Sequence, residues 1–133
     1  MKLYRVKIPV IANSVIEELA NGGSLEVLPE NKAEAELDLI AIMEEYQRRD
    51  FSLRDAVREH MSTRGVPYDQ YGKVRGRMAD EWSHPTGDDV ERFLARQFVE
   101  NCVALRLTIL TAHLRLEDLE ECLRVPSTAW VKL

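Results

Sequence analysis

The sequence predicts a mainly α-helical fold with minor β: one domain of about five helices, with a long central helix and two short strands. Three observations carry this. Apolar residues recur at three- and four-residue intervals through most of the chain; only 24–28 and 107–111 have strand patterning; and turn residues such as Asn21-Gly22-Gly23, Gly65 and Pro126 stand at the ends of the periodic stretches. The chain has 133 residues, 45% of them apolar. A chain of this size buries roughly two thirds of the surface it exposes when unfolded, enough for a core without metals or disulfides.

The first helix is expected from about Pro9 to Ala20, because Ile8, Ile11, Val15 and Leu19 share one face, proline suits a first turn and Asn21-Gly22-Gly23 suits an end. Ser24-Leu25-Glu26-Val27-Leu28 alternates apolar and polar until Pro29, which cannot donate to a ladder, and reads as a strand. Asn31 and Glu34 have the spacing of a capping box, and a long charged helix follows to about Arg64. Along it Leu39, Ile42, Met43, Tyr46, Leu53, Val57 and Met61 keep one face apolar. Glu44 with Arg48, Glu45 with Arg49 and Asp50 with Arg54 read as exposed pairs, each worth ~0.3–0.5 kcal/mol. Asp50-Phe51-Ser52 is the place where so long a helix would kink or break, Ser52 being able to cap a second segment.

Gly65 closes that helix and Val66-Pro67-Tyr68 turns the chain. Tyr71, Val74 and Met78 mark a third helix ending before Trp82-Ser83-His84-Pro85. Thr86 caps a fourth, in which Val90, Phe93, Leu94, Phe98, Cys102 and Leu105 recur at helical spacing. The β-branched run Leu107–Thr111 is the second strand, and Leu116, Leu119 and Leu123 carry a last helix ended by Pro126. The chain thus divides into a helix-strand-helix half over 8–64, a connecting helix over 69–81 and a second such half over 87–125. Neither strand is stable alone, so pairing them across the helices is the economical arrangement.

Several chemistries have no signature here. His60, His84 and His113 fall in separate segments without metal-ligand spacing, so no metal site is expected. Asn21-Gly22-Gly23-Ser24 and Gly72-x-x-x-Gly76 lack the phosphate-loop and dinucleotide fingerprints, and no serine stands in a nucleophile elbow. No cofactor and no catalytic residue is assigned. Charges interrupt every apolar run before a membrane span, and Arg5 and Lys7 fall where a signal peptide needs its apolar block. Two cysteines without a close pair fit a reducing cytoplasm.

Charge distribution is more informative. The chain carries 18 basic and 23 acidic side chains, a formal charge of −5, yet residues 47–77 hold 8 basic against 4 acidic. The candidate partner-binding residues lie in that window: Arg49, Arg58, Tyr68, Tyr71, Lys73, Arg75 and Arg77. Cations mixed with aromatics suit an acidic protein or phosphates and bases. At about 100° per residue, though, the helix arginines point several ways, the arrangement of an ordinary salt-bridged helix.

Lys2-Leu3-Tyr4, Ile8-Pro9-x-Ile11-Ala12, Val15-Ile16-x-x-Leu19, Leu25-Glu26-Val27, Ala35-Glu36-Leu37-Asp38 and Met43-x-x-Tyr46 follow in order, then Arg64-Gly65, Tyr68, Tyr71-x-x-Val74, Met78-Ala79-Asp80 and Gly87-Asp88. This series resembles the longer, proteobacterial-type members of the bacterial domain of unknown function 507, over most of residues 1–105. The chain departs from that pattern at Thr111-Ala112-His113-Leu114 and at Trp82-Ser83-His84-Pro85. The resemblance implies a cytoplasmic, mainly helical bacterial protein and brings no established activity with it.

The leading expectation is a non-enzymatic cytoplasmic module that binds a protein partner or a second copy of itself through apolar helix faces. Nucleic-acid association through residues 47–77 is the alternative. The third reading is an enzyme with an unfamiliar site, for which Asp80, Glu81 and His84 would have to share a pocket.

Overall fold

The computed structural model describes residues 4–21 and 29–101 together with Glu120, Glu121 and Leu123. Among these residues the protein is mainly helical. A 3₁₀ turn at Arg5–Lys7 leads into α1 (Ile8–Asn21), and a second at Pro29–Asn31 leads into α2 (Lys32–Arg64). A third at Tyr68–Gln70 precedes α3 (Tyr71–Glu81), and α4 (Asp89–Asn101) follows. Both expected strands, Cys102, His113 and most of the expected last helix lie outside the described residues.

α2 is the axis on which α1, α3 and α4 pack. The amide of Asn13 donates to Glu36 at 2.8 Å and Lys32 pairs with Glu17 at 2.6 Å, so residue numbers rise along α1 as they fall along α2 and the two run antiparallel. Ile8, Ile11, Ala12, Val15, Ile16 and Leu19 from α1 bury against Ala35, Leu39, Met43 and Tyr46 of α2. Val90, Leu94, Ala95 and Phe98 of α4 complete this larger cluster, and Leu123 joins it. A smaller one gathers Leu53, Val57 and Met61 of α2 with Val74 and Ala79 of α3.

α2 is continuous through Asp50-Phe51-Ser52, with 33 residues. The break allowed there by sequence is absent because Asp50 and Leu53 both face inward and pack against neighbours on either side of the position. Its start also differs from expectation. Asn31 ends a 3₁₀ turn with φ −98° and ψ −3° and makes no side-chain cap hydrogen bond, so the capping box does not form. A capping side chain needs extended backbone at that position, and the turn denies it. The other end is as expected: Gly65, at φ 63°, adopts the left-handed conformation and Val66 N–H bonds the Met61 carbonyl.

The end of α3 sets up the site. His84 N–H bonds the Ala79 carbonyl at 2.9 Å and Ser83 N–H bonds that of Asp80 at 3.1 Å, the paired bonds of a Schellman turn. Ser83 sits at φ 53°, where glycine is the usual residue and a side chain costs about 1–2 kcal/mol. This turn carries His84 back toward α2. Five residues after His84 α4 begins, with Asp89 N–H on the Thr86 carbonyl.

Candidate site at the α2–α3–α4 junction

The spacing of Met43, Tyr46, Asp50, Leu53 and Val57 places all five on one face of α2, so Asp50 points into the protein. Burying a carboxylate is costly unless it is paired and hydrogen-bonded, and here it is both. Arg75 Nη2 donates to Asp50 Oδ1 at 2.8 Å, and His84 Nε2 meets the same oxygen at 3.1 Å. Arg54 Nη2 reaches Oδ2 at 3.1 Å. One carboxylate therefore ties α2 to α3 and to the turn after α3. A carboxylate accepts, so the proton of a neutral His84 ring lies on Nε2 and leaves Nδ1 as an acceptor. That Nδ1 is buried with no hydrogen-bond partner.

Tyr46 lies one turn before Asp50 and covers the histidine. The two rings stack with centroids 4.8 Å apart and planes 11° apart. The Tyr46 hydroxyl donates to the Pro85 carbonyl at 3.1 Å, fixing the turn from its other side. Burial, with the Asp50 charge as the next cause, pushes the phenol up to about 12. Below pH ~10, the ordinary tyrosine value, both folded and unfolded chains carry the phenolic proton. Between there and pH 12 the unfolded chain releases it first, so the native state binds more protons and stability falls with rising pH. Tyr46→Phe is expected to cost about 1 kcal/mol at neutral pH through the lost hydrogen bond. Urea unfolding at pH 9, 10 and 11 should show that the wild-type advantage shrinks, since the tyrosine forfeits up to about 2–3 kcal/mol in alkali. Parallel curves for the two proteins would contradict this account.

A cleft of about 760 Å³ opens onto this cluster. Tyr46, Asp50, Arg54 and Arg75 contribute to it from α2 and α3, Thr86 and Gly87 from the turn before α4, Val90 from its first turn, and Tyr4 and Arg5 from the beginning of the described chain. Phe51 stands half exposed at its edge, with the Arg54 guanidinium carbon 5.7 Å from its ring centre. Three guanidiniums and one carboxylate line the cleft, a local net charge of about +2 in a chain of formal charge −5. Arg54 and Arg75 are pre-set, because Asp50 holds each by one nitrogen and leaves their other donors.

The seven residues expected to bind a partner do not gather here. Only Arg75 belongs to the cleft. Arg49 lines a second, smaller cavity of about 440 Å³ between α2 and α4, with Ile42, Glu45 and Phe93. Arg58 is exposed and faces Asp55 at 4.0 Å, and Lys73 is exposed. Arg77 lies 3.2 Å from the His60 ring and 4.0 Å from Glu81. Tyr68 is exposed and stacks on Tyr71 with centroids 5.8 Å apart. Asp80 and Glu81 are exposed while His84 is buried, so these three residues do not share one environment. Of the exposed pairs expected on α2, Arg48 turns from its expected partner Glu44 to the neighbouring Glu45 at 2.6 Å and holds the Glu45 carboxyl below its ordinary value.

Among the described residues no three histidine, cysteine or acidic side chains form a metal-binding group, and no helix is long and apolar enough to cross a membrane. Compared with known protein families, curated proteins and solved structures, the chain matches none.

Proposed function

We propose that the protein is a non-enzymatic cytoplasmic binding module that takes an anionic group of its partner into the cleft between α2, α3 and the start of α4. The observation that carries this is the pair of arginines oriented by a buried carboxylate at the wall of a cavity with about two positive charges in excess. Preorganised guanidiniums bind anions without first having to be ordered. The groups able to transfer protons are committed elsewhere. Asp50 accepts three charged or polar donors, the Tyr46 hydroxyl is donated to Pro85, and the side chain of His84 is 1% exposed. Such a set supports binding better than general acid-base chemistry, which needs a base within reach of a substrate proton.

Docking through apolar helix faces has less support, since α1, α2 and α4 turn those faces on one another. Nucleic-acid binding by residues 47–77 is weakened by their dispersal over opposite parts of α2 and α3. The family resemblance adds no activity to either reading.

The test is affinity isolation from the native cells with wild-type, Arg5→Glu and Arg58→Glu chains, with and without nuclease. Arg5→Glu places a like charge at the cleft and should reduce partner recovery roughly tenfold, while Arg58→Glu, outside the cleft, should not. Equal recovery by both variants would refute the cleft as the binding surface. Recovery abolished by nuclease would instead establish nucleic acid as the partner.

A further inference from the structure

The geometry points to a phosphate monoester as the anion that Arg5, Arg54 and Arg75 clamp in this cleft, with a planar organic part against Tyr4 and Phe51. The inference rests on the binding reading above and names its ligand class.

Charge is the first argument. Asp50 offsets one of the three guanidiniums, so about two positive charges remain. A carboxylate would balance only one of them, whereas a phosphate monoester carries about −1.5 to −2 at neutral pH. Donor count is the second. Each guanidinium has five N–H groups, and Arg54 and Arg75 each spend Nη2 on Asp50. The remaining donors exceed what one carboxylate accepts but suit a group with three terminal oxygens.

Size agrees. Thr86, Gly87 and Val90 bring the beginning of α4 to the cleft wall, but Asp89 and Glu91 stand in its first turn and already meet the helix dipole, so the anion is held by the arginines and not by the helix end. Gly87 has φ 60°, and a Cβ built there would meet nothing within 4 Å, so the backbone faces open space. A volume of about 760 Å³ falls in the range of small-molecule sites, roughly 300–1,000 Å³, and exceeds what a bare phosphate fills. Tyr4 and Phe51 are 56% and 51% exposed, rings available to stack on a planar substituent.

Calorimetric titration of the full chain tests the assignment with five probes: inorganic phosphate, a nucleoside monophosphate, free glutamate, and an acidic peptide with and without one phosphorylated side chain. The monoester that fits should bind roughly tenfold or more above inorganic phosphate and glutamate, and Arg5→Ala should weaken it about tenfold, the loss of one charge-assisted hydrogen bond. A preference for the nucleotide supports the whole proposal and identifies a small-molecule source; a preference for the phosphopeptide supports the phosphate clamp, identifies a protein as its source and overturns the planar part against Tyr4 and Phe51. If the unmodified peptide binds as tightly as its phosphorylated twin, the phosphate assignment falls while the anion-binding reading stands. No binding by any probe overturns both. Monoester binding unchanged in Arg5→Ala overturns the three-arginine clamp.

Discussion

Asp50→Asn is expected to lower the unfolding free energy by about 3–5 kcal/mol, the cost of removing one member of a buried charged cluster. The substitution keeps the shape but removes the charge that Arg75, Arg54 and His84 share. One end of the new amide is a donor, and every group around the old carboxylate is a donor too. The side chain of Arg75 is only 27% exposed and would be left partly buried without its partner. For a chain of 133 residues the loss corresponds to a fall of roughly 10–20 °C in Tm. Two controls make the result specific. Arg54→Ala should cost less, about 1 kcal/mol, because that side chain is 45% exposed and its pair is screened by water. Glu45→Gln, which loses only an exposed contact to Arg48, should leave stability at the wild-type level. An Asp50→Asn protein as stable as Glu45→Gln would show that the cluster does not hold α3 in place.

The same residue shows what could be read in the sequence and what could not. Helix periodicity found α1, α2, α3 and α4 because each buries an apolar stripe, and a stripe is visible one residue at a time. Asp50 occupies that stripe, four residues after Tyr46 and three before Leu53, a phase at odds with its reading as one end of an exposed pair. Pairing it with Arg54 at i,i+4 found a true contact but the wrong environment: the pair reads as exposed on helix spacing alone, and only α3 folding back over it makes it a core element. Arg75 and His84 lie 25 and 34 residues away, a separation that local pattern does not encode.

His84 owes its place to a turn that local pattern does not encode. Trp82-Ser83-His84-Pro85 looks like a polar connection, and its role depends on Ser83 taking a left-handed conformation that serine rarely adopts. Strain of this kind is held by surrounding contacts. Here the stack on Tyr46, the hydrogen bond to Asp50 and the Tyr46 bond to Pro85 supply them. The basic window was found by composition, which sums charge along the chain and says nothing of direction. Helical geometry then sent Arg49 toward α4, Arg58 to solvent and Arg75 inward.

Phe98→Ala carries the other large effect and tests whether α2 acts as one unit. Phe98 is 0% exposed in the larger cluster, among apolar side chains of α1, α2 and α4, so truncation should cost about 3–5 kcal/mol through lost burial and the cavity left behind. Native-state hydrogen exchange then separates two cases. With 33 unbroken residues, about 50 Å of helix, α2 carries the loss across Asp50 into the smaller cluster. Amides at Leu53, Val57 and Met61 should therefore lose protection along with those at Leu39 and Met43. Five buried residues, one of them alanine, are too small a core to keep α2 and α3 folded once the larger cluster opens. Loss confined to amides before Asp50, with Leu53 to Met61 protected as in the wild type, would mean that the two clusters unfold separately. The buried carboxylate would then sit at a hinge between independent units, and the cleft above it would change shape whenever either one opened.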